Sequence, residues 1–475
     1  MEEFTSIFKN CHGAFRQSRT LERGINLAQG LFNCAGRRTL TGILTSRGLQ
    51  FKDWTAYYKL FQGERMNTEA LFHGIQQEIL THHLNQETPV SAHLDDTLLH
   101  KVGKKIPKTR WLRDPLGPPF HTNFVWGQRF IQLSVACAIP GQSGAAQSIP
   151  VDFHACPPVK KVSATATEQE KRAFKEEQKK LKLSQVGADR ILLFREQLDQ
   201  QGQQRRKLIV SVDGSYTNDT VFKQLPIPER VTLIGRIRKD CRLYDRPEFT
   251  EGAGRKRVYG EPLPTPEQMR QSSEVPWVKV KAWATGKIHD FQVKIIKNVK
   301  WRKAGDQDLQ IVIIRPLGYR LTKTSKILYR KAAYLVCTDT NMSIEEFLQN
   351  YLWRWGIEVN FREEKTNLGC GQAQVRNEVS VSKMPEFIVA CYAMLLLAEA
   401  RMKKLKPVEL PRSKWYPKKS YKDKTTGDLM NEFRAQIWLK YMGINFSHFV
   451  DLQKMTMKSQ KFANPLFSAH FYTRN

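Results

Sequence analysis

Three apolar runs, VSAHL, FVWGQRFIQLSVACAI and SIPVDFHA, follow one another from residue 90, and a fourth, KLIVSV, runs straight into Asp213-Gly214. Two helix-like segments separate the third run from the fourth: the charge-dense ATEQEKRAFKEEQKKLKLSQ and the amphipathic ADRILLFREQLDQQ. Strands in succession, then helices, then another buried strand restrict the chain to a mixed α/β or α+β core.

The flanks read differently. Residues 1–85 show apolar positions at helical spacing, as in LERGINLAQGLF and TEALFHGIQQEIL, with basic residues between them. They are expected to form a helical domain suited to DNA binding or, equally, to packing alone. Residues 86–224 hold the first part of the core. Residues 225–335 carry short strand-like runs (VTLIGRI, VPWVKVKAWA, IHDFQVKIIKNV, QIVIIRPL, AAYLVCTD) broken by basic turns such as GAGRKRVYGE, and read as a β-rich insertion. Residues 336–404 return to the core with a helix over about 343–366 and an apolar helix over about 381–403. Residues 405–475 form a tail with a Pro- and Lys-rich linker and one amphipathic helix near 426–441, open to dimer or DNA contacts.

Charge narrows the partner. Against 46 acidic residues stand 76 Lys and Arg, a formal net charge of +30 in 475 residues. That excess suits a polyanion, because each phosphate neutralised releases a counterion. The eight cysteines include no CxxC pair, so they are expected to be reduced, buried residues of a cytoplasmic protein. MEEFTSIFKN lacks the basic and apolar regions of a secretory signal. The run Phe387–Ala398 is too short to cross a bilayer and reads as a buried helix, so no membrane role is expected.

The most informative segment is YLWRWGIEVNFREEK. Its helix opens at Ser343, with Glu346 placed for a capping box, and should stop near Gly369. Tyr351, Arg354, Glu358 and Lys365 lie at offsets 0, 3, 7 and 14, within roughly a 60° arc of one helix face. A carboxylate flanked by a guanidinium and an ammonium can hold a metal ion between phosphates. An amphipathic helix with a mixed-charge solvent face carries the same residues with no such role.

The spacing Y-(2)-R-(3)-E-(6)-K resembles the signature of the insertion-sequence-four superfamily of bacterial DDE transposases. The phrase DDTLLHKVGKK is similar to the insertion-sequence-701 branch. The resemblance runs from about 88 to 403. It implies an RNase H-like core interrupted by a β-rich insertion, and a catalytic, metal-binding triad of Asp95, Asp213 and Glu358. Asp96 competes with Asp95; the Asp-x-Ser/Thr pattern selects Asp95. Asp152 and Asp339 also follow strands, as turn or surface acids commonly do. Tyr351, Arg354 and Lys365 are expected to hold DNA phosphates. Trp301, with Trp277 and Trp283 as alternatives, is a candidate to stack on a flipped base, beside the plainer reading of a buried sheet residue.

An all-carboxylate set selects Mg²⁺ or Mn²⁺, two ions per site. The resemblance further implies binding of double-stranded transposon ends, nicking, hairpin formation and opening, joining to target DNA, and a homodimer in the synaptic complex. A structure-specific nuclease on the same fold and a catalytically inactive DNA-binding relative are the competing readings.

Overall fold

In the computed structural model, residues 1–475 are described apart from 115, 116, 119, 228, 249–255, 323, 404–423, 444, 446, 447, 449, 450 and 452–475. The Pro- and Lys-rich linker and the start of GAGRKRVYGE lie largely outside the described residues.

Twelve strands are seen among these: β1 Val90–His100, β2 Arg110–Arg113, β3 Phe124–Ala138, β4 Ala146–Cys156, β5 Leu208–Val212, β6 Val231–Arg236, β7 Val278–Ala284, β8 Lys287–Val299, β9 Leu309–Ile314, β10 Gly318–Tyr319, β11 Leu328–Tyr329 and β12 Ala333–Cys337. Ten form one sheet in the order β2-β3-β1-β5-β6-β12-β9-β8-β7, with β4 also paired to β3. The chain is therefore mixed α/β, as its alternation of strand and helix runs predicts. Within the sheet β4, β3 and β1 are successively antiparallel, and β5 and β6 run parallel to β1. The five strands β5, β6, β9, β12 and the inner part of β1 are almost wholly apolar and buried, as strands covered on both faces must be.

Of the strands after residue 225, β10 and β11 pair only with each other, but the rest do not stand apart from the sheet. β12 lies antiparallel between β6 and β9, and β8 and β7 extend the same sheet to its edge. The N-terminal helices, Glu2–Asn10, Ser18–Asn33, Leu40–Thr45, Thr55–Gln62 and Thr68–His82, likewise share one continuous apolar core with the sheet.

Four of them, all but Leu40–Thr45, pack on the helix Ser380–Met402. It is longer than the apolar run alone predicts, and by length and composition it could cross a bilayer. Its apolar window is 89% buried inside the fold, where Phe387 meets Phe8 and Phe61 edge-on. Burial all round explains an apolar pattern without a polar face. The helix Thr426–Tyr441 closes the bundle through Arg434, which donates to the carbonyls of Phe32 and Cys34. All eight cysteines are buried free thiols.

Candidate active site

The site begins with strand register. Leu94 of β1 pairs with Val212 of the parallel strand β5. Asp95 and Asp213 are the next residues, so they stand level on neighbouring strands, about 5 Å apart by the ordinary strand spacing. Asp213 sits where β5 ends. Asp95 does not end its strand, as VSAHL-Asp suggests; β1 continues to His100 because it stays paired with β3 as far as Gly127. Asp95 is instead the first β1 residue beyond the pairing with β5.

Neighbouring residues of a strand face opposite ways, and this separates Asp95 from Asp96. The Asp96 carboxylate accepts from Arg129 at 2.7 Å and from the Tyr216 hydroxyl at 3.0 Å. Asp95 turns to the other face, where Arg354 donates to it at 2.9 Å and the Asp96 amide at 2.8 Å. Burial pushes the Asp95 carboxyl up to about 7, with Asp96 and Asp213 adding to the rise and Arg354 opposing it. The charge of Asp213 acts on both Asp95 and Arg354.

The third acid arrives on the signature segment, which is not one helix. It forms Ile344–Trp353 and Trp355–Thr366, broken at Arg354. Around the break the bonds are one residue shorter than α-helical: Arg354 N donates to the Tyr351 carbonyl, and Ile357 N to that of Arg354. Gly356 is pressed against Ser148 of β4, so closely that a Cβ would lie 2.6 Å from the serine Cβ. This contact, together with the pull of Asp95 on the buried Arg354, accounts for the tightened turn. Ser343 caps the first helix by accepting from the Glu346 amide; the return bond that would complete a capping box is not among its contacts. Gly369, at φ +60, follows the second helix and supplies the left-handed turn a side chain would resist.

Arg354 bridges the acids, donating to Asp95 and, at 3.4 Å, to Glu358, whose side chain is 42% exposed. Tyr351 packs against the Arg354 guanidinium, 5.8 Å from ring centre to charge, and feels Asp213 and Arg236. Tyr351, Arg354 and Glu358 thus gather with Asp95 and Asp213. Lys365, two turns further on, is exposed and interacts electrostatically with Asp114 and Asp96.

The alternative acids are engaged elsewhere. Asp152 takes a two-pronged bond from Arg190 at 2.6 Å on each arm, and Asp339 is ion-paired with Lys207. Trp301 is only 7% exposed, edge-on to Phe222 at 5.8 Å and with the Lys303 ammonium 5.2 Å from its ring centre, so little of its ring is open to a base. Trp277 lies under Lys294 and Arg315, and the Trp283 backbone exchanges hydrogen bonds with Gln349.

Beside Asp213 opens a cavity of about 1020 Å³. Gly214 and Trp301 contribute to its wall, and Arg236, Arg238, Lys239, Arg242, Lys303 and Lys331 make it strongly cationic against Asp240 and Glu267. Neither the cavity nor the buried polar row beneath the Glu358 helix is evident in the motif. There Asn360 donates to the carbonyl and hydroxyl of Ser148 and to Ser134, while fully buried Glu364 bonds Gln132. The sequence does carry a signal for that row: Ile357, Asn360, Phe361 and Glu364 follow the i, i+3, i+4, i+7 pattern of a core-facing stripe, two of them polar. His93, on the Asp95 face, is fully buried with neither ring nitrogen hydrogen-bonded among the described residues. Burial and Arg354 hold it down at about 3, so it is neutral.

Among the described residues no three His, Cys, Asp or Glu side chains form a ready metal-binding group. The donor chemistry nevertheless fits a hard cation: the acids offer only carboxylate oxygens, and a cationic guanidinium already lies between Asp95 and Glu358.

Residues 12–307 match the family model described as DDE superfamily endonuclease, a span that includes Asp95 and Asp213 and ends before Glu358. No curated protein matches the chain. The match covers more than half of the 475 residues and agrees with two acids level on adjacent core strands; the chain belongs to the DDE superfamily of endonucleases.

Proposed function

We propose that this protein is a DNA transposase of the insertion-sequence type, with Asp95, Asp213 and Glu358 as its catalytic acids. The observation that carries the reading is the placement of Asp95 beside Asp213 with Glu358 joined to Asp95 through Arg354. The Y-R-E-K spacing supports the insertion-sequence-four superfamily and DDTLLHKVGKK its insertion-sequence-701 branch. In this reading β4-β3-β1-β5-β6 is an RNase H-like core, and the insertion expected over residues 225–335 starts only after β6 and lengthens its sheet through β7, β8 and β9.

Asp95, Asp213 and Glu358 would hold two Mg²⁺ or Mn²⁺ ions, which supply activation of a water or DNA 3′-hydroxyl and neutralisation of the leaving oxygen. The chain's own residues do the rest. Arg354 opposes the burial that favours the protonated Asp95 and, once the Asp95 carboxylate is otherwise occupied, offers its fork to a phosphate. Tyr351 restricts where that fork points. Lys365 takes a phosphate further along the helix. The cationic cavity beside Asp213 draws in a DNA strand, which meets Trp301 only as part of the wall. Asn360 and Glu364 fix the Glu358 helix to β3 and β4, so that the third carboxylate is held by rigid elements.

Cleavage of transposon ends through hairpins, joining to target DNA, a homodimer at synapsis and a cytoplasmic, nucleoid-associated location complete the proposal. The family description also covers a nuclease that never joins strands. Pre-cut ends mixed with a plasmid and Mg²⁺ separate the two: strand joining that is lost in Asp213→Asn supports the transposase. Metal-dependent nicking without joining supports the nuclease, and neither activity in the wild type sinks both.

A further inference from the structure

Beyond Thr97 the sheet narrows to an arm built from the end of β1, the start of β3, and β2. Trp111 pairs with Trp126, and Arg113 with Phe124. Cross-strand partners share a face, as do alternate residues along a strand. Trp111, Arg113, Phe124 and Trp126 therefore stand together on one face. It is the Asp95 face, because Asp95 pairs with Gln132, and Gln132 and Trp126 are an even number of residues apart on β3. Six residues of strand separate them, about 20 Å.

The face is open. Trp111 is 58% and Phe124 55% exposed. Trp126 forms a floor: its indole N–H donates to the Gly103 carbonyl, and Trp111 meets it at 5.6 Å between ring centres. Charge selects the partner. Residues 97–130 contain seven Lys and Arg and one acid, Asp114. Aromatic rings set among cations suit stacked bases and phosphates. The arm also continues the signature row, since Lys365 interacts with Asp114, the neighbour of Arg113.

We infer that this arm is a second nucleic-acid contact, at which Trp111 and Phe124 stack on unpaired bases and Arg113 holds a phosphate, about 20 Å from the cleavage carboxylates. The inference rests on the DNA-cutting reading above. The full chain is titrated against fluorescein-labelled 40-nucleotide single strands and 40-base-pair duplexes over a range of salt. Trp111→Ala is expected to weaken single-strand binding about tenfold, with a smaller effect on duplex and an unchanged melting temperature. Trp111→Phe restores most of the loss, and Arg113→Ala lowers the single-strand salt slope by about 0.7. Equal affinities for wild type and Trp111→Ala, an equal loss on both DNAs, or a Trp111→Phe variant as weak as Trp111→Ala each overturn it. A wild type that binds neither DNA at low salt removes the DNA reading itself, and the arm with it.

Discussion

Arg354 donates to Asp95 at 2.9 Å across 259 residues of sequence, and that bond joins the break between the helices Ile344–Trp353 and Trp355–Thr366 to strand β1. Arg354 opposes the burial that lifts the Asp95 carboxyl to about 7. Removing the guanidinium must therefore move Asp95 higher still, and if Asp95 is the catalytic acid proposed above, the acid limb of cleavage moves up with it. Arg354→Ala is expected to shift the acid side of the pH–rate profile upward and to cut activity at neutral pH by at least about tenfold. Arg354→Lys keeps the charge and moves the limb less. Single-turnover cleavage as a function of pH checks both, and superimposable profiles would refute the role.

Asp95→Asn, Asp213→Asn and Glu358→Gln should each reduce Mg²⁺-dependent cleavage by on the order of 10³-fold or more while leaving DNA binding largely intact. A conventional nicking assay beside a binding titration is sufficient. Near-normal cleavage by any one variant would remove that residue from the site.

Asp96 makes the opposite prediction. Its carboxylate links Arg129 to the Tyr216 hydroxyl on the far side of β1, so Asp96→Asn should cost stability, about 1–3 kcal/mol, yet retain cleavage by the folded fraction. Urea denaturation combined with activity per folded molecule measures this. Abolished cleavage at unchanged stability would exchange the assignments of Asp95 and Asp96.

Glu364 gives a pH signature in stability. Burial raises its carboxyl from 4.5 to about 8, with a bond from Gln132 pulling the other way. Between those values the unfolded chain has released the proton that the folded chain retains, so this group's contribution falls as pH rises from about 4.5 and bottoms out above about 8. Glu364→Gln, neutral at every pH, should match wild type near pH 4.5 and exceed it by a few kcal/mol at most near pH 8. Melting temperatures across that range test it; a pH-independent difference would mean Glu364 is not buried as an acid.

Periodicity and motif spacing make much of this chain legible from its residues alone. The N-terminal helices, the strands, the buried apolar helix and the row Tyr351, Arg354, Glu358 and Lys365 are local patterns, and local patterns are set by backbone repeat and side-chain burial. Charge balance points to nucleic acid for the same reason: it is a sum over residues and depends on no spatial arrangement.

What the tertiary structure alone decided is which groups meet. The Leu94–Val212 register places Asp95 beside Asp213, and strand alternation turns Asp96 away. Packing of Gly356 on Ser148 and the pull of Asp95 on Arg354 break a helix that propensity would continue. Burial against Phe222 withdraws Trp301, whereas Trp111, in an unremarkable basic stretch, is left open on the Asp95 face. Register, burial and ion pairing are fixed by partners far away in sequence, and a pattern read along one segment has no access to them.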